Sequence, residues 1–169
     1  MFVAKVAASR STCLSRPVGA VLVLDRQILV TGYNGSMPGE AHCLDDGECF
    51  KRNIPHQNCD KYDFCRASHA EANLMAQAAR RGIAVAGGTL YVTLMPCYSC
   101  AKLLSVAGIK DVVYEHEYES GDPHRDAHWR EAMERQLNFR RLSLSPEVVK
   151  NIYTVFLQDI TSIRRLPGT

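Results

Sequence analysis

The chain has 169 residues, 46% of them hydrophobic and 22% charged, with a formal net charge of +2. That size suits one domain with a sizeable core, the balance is that of an ordinary soluble globule, and so small a net charge carries no broad footprint for nucleic acid. Apolar runs are strand-length, short of a membrane span, and the opening FVAKVAASRSTC is broken by Lys5 and Arg10 rather than forming a signal peptide.

The expected setting is therefore cytoplasmic, where the seven cysteines stay reduced and clustered ones point to metal before disulfides.

In chain order, residues 2–12 read as a short helix with Phe2, Val3, Val6 and Ala7 on one side. VGAVLVL (18–24) and ILVTGYN (28–34) read as a hairpin around Asp25-Arg26-Gln27. From Gly35 to Ala67 the periodicity vanishes into a long loop rich in Gly, Pro, Asp, His and Cys, a length that needs something else to organise it. Helix 69–81 stops at Gly82, GGTLYVTL (87–94) is a strand, and Pro96 opens a helix that Gly108 ends. DVVYEHE (111–117) is a strand, HRDAHWREAMERQ is helical, FRRLSL (139–144) is strand-like, and Ser145-Pro146-Glu147 starts a last helix. This order predicts a three-layer α/β/α domain over 1–169, a mixed five-stranded sheet with helices on both faces. Strands separated by single helices should run parallel, and only the hairpin pair is forced to be antiparallel. No repeat or linker divides the chain; 35–67 is a cysteine-rich loop and 119–169 a C-terminal extension.

Two stretches carry chemistry. In CRASHAEANL (65–74), Ser68 followed three residues later by Glu71 has the form of a capping box. In MPCYSCAKLL (95–104), Cys97 and Cys100 share one face at a helix start, where the positive helix end favours thiolates. Consecutive helix N-termini of a parallel α/β sheet meet at one edge, so His69 can join the two cysteines. Three protein ligands with a fourth position for water mark a catalytic zinc site. Two thiolates nearly neutralise the ion, so the water needs a neighbouring base, and Glu71 is the expected proton shuttle.

This H-x-E…P-C-x-x-C pattern is the signature of zinc deaminases. With RSTC (10–13), RPVGAVLV (16–23), GYNGSMPG (32–39), HC (42–43), LYVTLMPCYSCAKLL (90–104) and AGIKDVVY (107–114), the chain resembles the cytidine deaminase superfamily. Within it the resemblance is to deoxycytidylate (dCMP) deaminases of bacterial and phage type, over roughly residues 3–118. The resemblance implies the cytidine-deaminase-like fold, catalytic Zn²⁺ on His69, Cys97 and Cys100, and Glu71 as proton shuttle. It implies Asn34 on the sugar 3′-hydroxyl, and the backbone around Ala70 and Pro96 on the pyrimidine and the leaving amine. Arg16 falls beside a phosphate-side position, and Tyr118 matches a recurrent tyrosine. It further implies dCMP as substrate, dUMP for thymidylate synthesis as product, dCTP and dTTP as effectors near the GYNG loop, and a homo-oligomer, most often a hexamer. A second, structural zinc is implied on Cys13, Cys43, Cys49 and Cys65. The insertion of Glu48 between Gly47 and Cys49 leaves Cys59, His42 and His56 as alternative fourth ligands.

A free-nucleoside or antibiotic deaminase would use the same catalytic residues. A tRNA adenosine deaminase would want a basic face and lacks this GYNG loop. A silent zinc module would gain nothing from Glu71.

Overall fold

The computed structural model describes residues 1–53 and 65–157; His56 and Cys59 lie outside the described residues. Helix α1 (Phe2–Ala8) precedes the hairpin of β1 (Gly19–Leu24) and β2 (Gln27–Tyr33). Asp25 and Arg26 close the hairpin with positive φ (49° and 64°), the type I′ geometry whose twist matches the strands. Then follow β3 (Gly35–Ser36), α2 (Cys43–Asp46), α3 (Phe50–Asn53) and β4 (Ala67–Ser68). The rest alternates: α4 (Ala70–Arg80), β5 (Thr89–Leu94), α5 (Tyr98–Val106), β6 (Asp111–His116), α6 (Pro123–Glu134), β7 (Asn138–Arg141) and α7 (Pro146–Leu157).

Five strands form one sheet in the order β2-β1-β5-β6-β7. β1 runs antiparallel to both β2 and β5, while β5, β6 and β7 are mutually parallel. β2 and β5, both antiparallel to β1, therefore run the same way, and each of the pairs β5–β6 and β6–β7, joined by one helix, is parallel as such strands should be. Side chains alternate across the sheet, so Gly32 and its partner Ala20 face one side, Gly19 and its partner Tyr33 the other. A Cβ on Gly32 would lie 2.4 Å from the Ala70 carbonyl oxygen of α4; one on Gly19 would lie 2.1 Å from that of Ala4 in α1. These two glycines let α4 and α1 close on opposite faces at near-backbone contact. Leu22, Leu74, Leu90, Val92, Leu104 and Val112 fill the core under α4 and α5. The expected α/β class with helices on both faces is what the chain adopts.

Several boundaries differ from the sequence expectation. α1 ends at Ala8 rather than residue 12. Ser11 and Thr12 are drawn away to hold Asn34: Ser11 Oγ lies 2.6 Å from its Oδ1, and the Thr12 N–H donates to its carbonyl. Ser68 does not cap α4. It pairs with Gly35 in the two-stranded β3–β4 ladder, and His69 takes the N-cap position instead. The long loop thus has local order of its own, a small ladder and two single-turn helices. α6 starts at Pro123 behind Asp122, whose side chain accepts from the Arg125 N–H, an Asp-Pro start signal the reading from His124 passed over. No helix among the described residues is long and apolar enough to cross a membrane.

Candidate active site

The N-termini of α4 and α5 meet at the edge where β5 and β6 end, the usual ligand edge of such sheets. His69 is the N-cap of α4 and Cys97 that of α5, yet neither side chain caps its helix. Both turn toward each other. His69 Nδ1 lies 3.5 Å from Cys97 Sγ and 3.4 Å from Cys100 Sγ. Tetrahedral zinc with its usual Zn–N and Zn–S lengths requires N···S separations of about 3.5–3.6 Å. Both N···S separations therefore lie close to what zinc requires. Among the described residues the trio is the only group of three or more His, Cys, Asp or Glu side chains placed to hold a metal ion.

The donors' chemistry agrees with their spacing. A hydrogen bond from the Cys100 thiol, opposed by burial and reinforced by His69, lowers Cys97 to about 4, deep in the thiolate range. Cys100 moves the opposite way, because it donates to that neighbouring thiolate and is itself desolvated. The protein alone stabilises one thiolate here, and a divalent cation supplies the charge that lets both ionise. Hydrogen bonding to Cys97 raises the His69 imidazole, against burial.

Glu71 sits in the first turn of α4, 4% exposed. Burial lifts its carboxyl to about 7, with the Cys97 thiolate adding to the rise. A carboxyl so placed can hold or release a proton near neutrality, which suits a general acid–base group.

The cleft above this floor has a volume of about 450 Å³. Arg16, Asn34, Ala70 and Tyr118 all line it, as do Cys13, Cys43, Cys49 and Cys65. Asn34 is mostly committed to the scaffold: its Oδ1 accepts from the Val18 N–H (2.8 Å) and Ser11 Oγ, and its Nδ2 donates to the Arg16 carbonyl (2.8 Å). One amide hydrogen is left over, so toward a ligand Asn34 is a donor. Cys13, Cys43, Cys49 and Cys65, the other cysteines among the described residues, share the cleft lining without forming a metal-ligand cluster of three there.

Lys51, Arg52 and Arg66 also line the cleft and were not singled out from the sequence. Arg52 donates to Ser15 Oγ (3.2 Å), and Arg66 pairs with Asp46. A signal existed, since Lys51 and Arg52 follow Cys49 closely and Arg66 follows Cys65 directly.

Residues 1–116 match the family model of the cytidine and deoxycytidylate deaminase zinc-binding region. ComE operon protein 2 of Bacillus subtilis is 40% identical over 114 residues, 67% of this chain and 55% of that protein. The deoxycytidylate deaminase of Mycobacterium phage D29 is 40% identical over 119 residues, 68% of this chain and 90% of the phage protein. That of Schizosaccharomyces pombe is 36% identical over 118 residues, 70% of this chain but only 36% of the yeast protein. The chain thus spans about half of the Bacillus relative and about a third of the yeast one. Among solved structures, the dCMP deaminase of cyanophage S-TIM5 in complex with dCMP and dUMP superposes with a TM-score of 0.61 at 25% identity. The superposition covers 83% of this chain and 92% of that one. With the metal-donor trio inside the matched span, the chain belongs to the cytidine and deoxycytidylate deaminase zinc-binding family.

Proposed function

We propose that the protein is a zinc-dependent aminohydrolase that converts dCMP and water to dUMP and ammonia. The observation that carries this is a buried carboxyl, Glu71, beside the His69–Cys97–Cys100 trio in a cleft whose lining includes Arg16, Lys51, Arg52 and Arg66. The deoxycytidylate deaminases it resembles, one solved with dCMP and dUMP, support the same substrate.

Bound zinc supplies an acidified water at neutral pH. Everything else falls to the chain. His69, Cys97 and Cys100 would hold the ion, and Glu71, which is not needed as a ligand, takes one proton from the water and gives it to pyrimidine N3, then moves the second from the new C4 hydroxyl to the amine, which leaves as ammonia. The backbone around Ala70 and Pro96 seats the base and the leaving amine, and Tyr118 flanks the ligand. Asn34 offers its remaining N–H to the sugar 3′-hydroxyl. Arg16, with Lys51 and Arg52, meets the 5′-phosphate by charge-assisted bonds, far from C4, where binding energy serves to position the ring.

The wider reading is one deaminase unit over 1–169, cytoplasmic, with dUMP passing to thymidylate synthesis. Cys13, Cys43, Cys49 and Cys65, all in the cleft lining, are the ligands we assign to a second, structural zinc, which would draw them together. Regulation by dCTP and dTTP in a homo-oligomer, hexameric by family habit, fits a second cleft of about 610 Å³ along β2 and the GYNG loop, where Arg10, Arg81 and Asn73 stand.

Ammonia release measured side by side with dCMP, dCTP, deoxycytidine and RNA tests the substrate. Turnover of dCMP should exceed that of deoxycytidine by roughly 10³-fold, as two or three charged hydrogen bonds to phosphate allow. Equal turnover of the two would make the protein a nucleoside deaminase instead.

A further inference from the structure

α6 lies beyond residue 116, outside the span that the family model matches, yet it braces a wall of the cleft. The segment after β6 brings Tyr118, Glu119 and Ser120 to the cleft lining. Both its ends are tied to α6. Glu117 accepts from Arg130 (2.7 Å) and from the Tyr114 hydroxyl (2.7 Å). The Ser120 N–H donates to the Asp126 carboxylate (2.9 Å), and Ser120 Oγ accepts from Arg125 Nε (3.3 Å). Ser120 is only 6% exposed, so these bonds hold a buried point of the wall.

α6 in turn is locked to the metal-site helix. Trp129 stacks on Tyr98, centroids 5.5 Å apart and planes 10° from parallel. A cation lies over each ring: Arg125 is 4.7 Å from the Trp129 centroid and Lys102 5.0 Å from that of Tyr98. Tyr98 directly follows Cys97. One chain of contacts, Lys102–Tyr98–Trp129–Arg125, thus joins a metal donor to the cleft wall, and Arg125 both meets Trp129 and bonds to Ser120 of the wall.

We infer that Trp129 and Arg125 are positioning residues, fixing the 117–120 wall against the metal site and so setting affinity for the ligand. This builds on dCMP as the substrate. The holoenzyme and its Trp129→Ala, Trp129→Phe and Arg125→Gln variants are compared in dCMP kinetics, zinc content and amide exchange. Trp129→Ala and Arg125→Gln should raise KM for dCMP about tenfold with kcat changed less than about threefold, the mark of lost binding rather than lost chemistry. Zinc content should hold, Trp129→Phe should restore most of the affinity by keeping an aromatic face, and exchange at the Ser120 amide should quicken about tenfold in Arg125→Gln. Arg125→Gln keeps the Tyr98–Trp129 ring pair, so it tests the inference even where Trp129→Ala fails to fold. Unchanged KM and Ser120 exchange in Arg125→Gln would overturn it, as would Trp129→Phe behaving like Trp129→Ala. Should the wild type prove inactive on dCMP, the substrate assignment fails, and Ser120 exchange alone decides the brace.

Discussion

Replacing Gly32 by alanine tests how the sheet sets the catalytic residues without touching any of them. The new Cβ would stand 2.4 Å from the Ala70 carbonyl oxygen, 2.7 Å from Leu74 Cβ and 2.8 Å from the Leu74 amide nitrogen. Two of those three atoms are backbone, so no side chain can swing aside. Ordinary van der Waals contact begins near 3.4 Å, so β2 and the first turn of α4 must separate by about 1 Å. Ala70 lies between His69 and Glu71, and both would travel with it. A misplacement of about 1 Å can cost on the order of 10²-fold in rate, and overpacking of this kind about 1–3 kcal/mol in stability. For a chain of this length that corresponds to a fall of roughly 2–12 °C in Tm. Thermal unfolding and dCMP turnover at 25 °C, well below either Tm, read the two effects separately. A Gly32→Ala protein with wild-type Tm and wild-type turnover would refute the close-approach account.

Arg16→Ala and Arg52→Ala should each raise KM for dCMP by roughly 10- to 100-fold and leave the slow reaction of deoxycytidine almost unchanged, measured by steady-state kinetics on both substrates. Metal analysis of protein purified without chelator should approach two zinc per chain, with mild chelation removing the catalytic ion first because its site is open; a ratio fixed at one, with Cys43→Ser folding normally, would remove the second zinc. Burial pushes the Glu117 carboxyl up, but hydrogen bonds from Tyr114 and Arg130 outweigh it and hold it below the usual carboxylate range. The stability this gives is complete above the unfolded carboxyl value near 4.3 and is lost as pH falls through the lower folded value. Tm measured between pH 6 and 3 should therefore drop less steeply in Glu117→Gln.

The alternating elements and the metal-donor trio were legible because each rests on a short-range signal. Short, strand-length apolar runs mark β1, β2, β5 and β6, and Gly82 and Gly108 mark helix ends. Two helix starts at one sheet edge bring His69 to Cys97 and Cys100. Features set by tertiary contact were not legible. Ser68 satisfies a local capping pattern, but pairing with Gly35 decides its place. Asn34 was read as a ligand-binding side chain, and nothing local shows that Ser11, Val18 and Arg16 converge on it from across the fold. The role of α6 was hidden for the same reason, since Trp129 and Tyr98 are far apart in sequence and meet only once the crossovers are laid down.

The central claim is that Glu71 moves the protons of a deamination at the His69–Cys97–Cys100 site. Turnover of dCMP by Glu71→Gln, at zinc content matched to wild type, tests it most directly. The variant keeps the shape of the side chain and removes its proton chemistry. Turnover should fall by 10³-fold or more, beyond the midpoint of the roughly 10²–10⁴-fold usual for one general acid–base group, because Glu71 handles more than one proton. Cys97→Ser should instead lose metal and activity together. Near wild-type turnover by Glu71→Gln at full zinc occupancy would contradict the account.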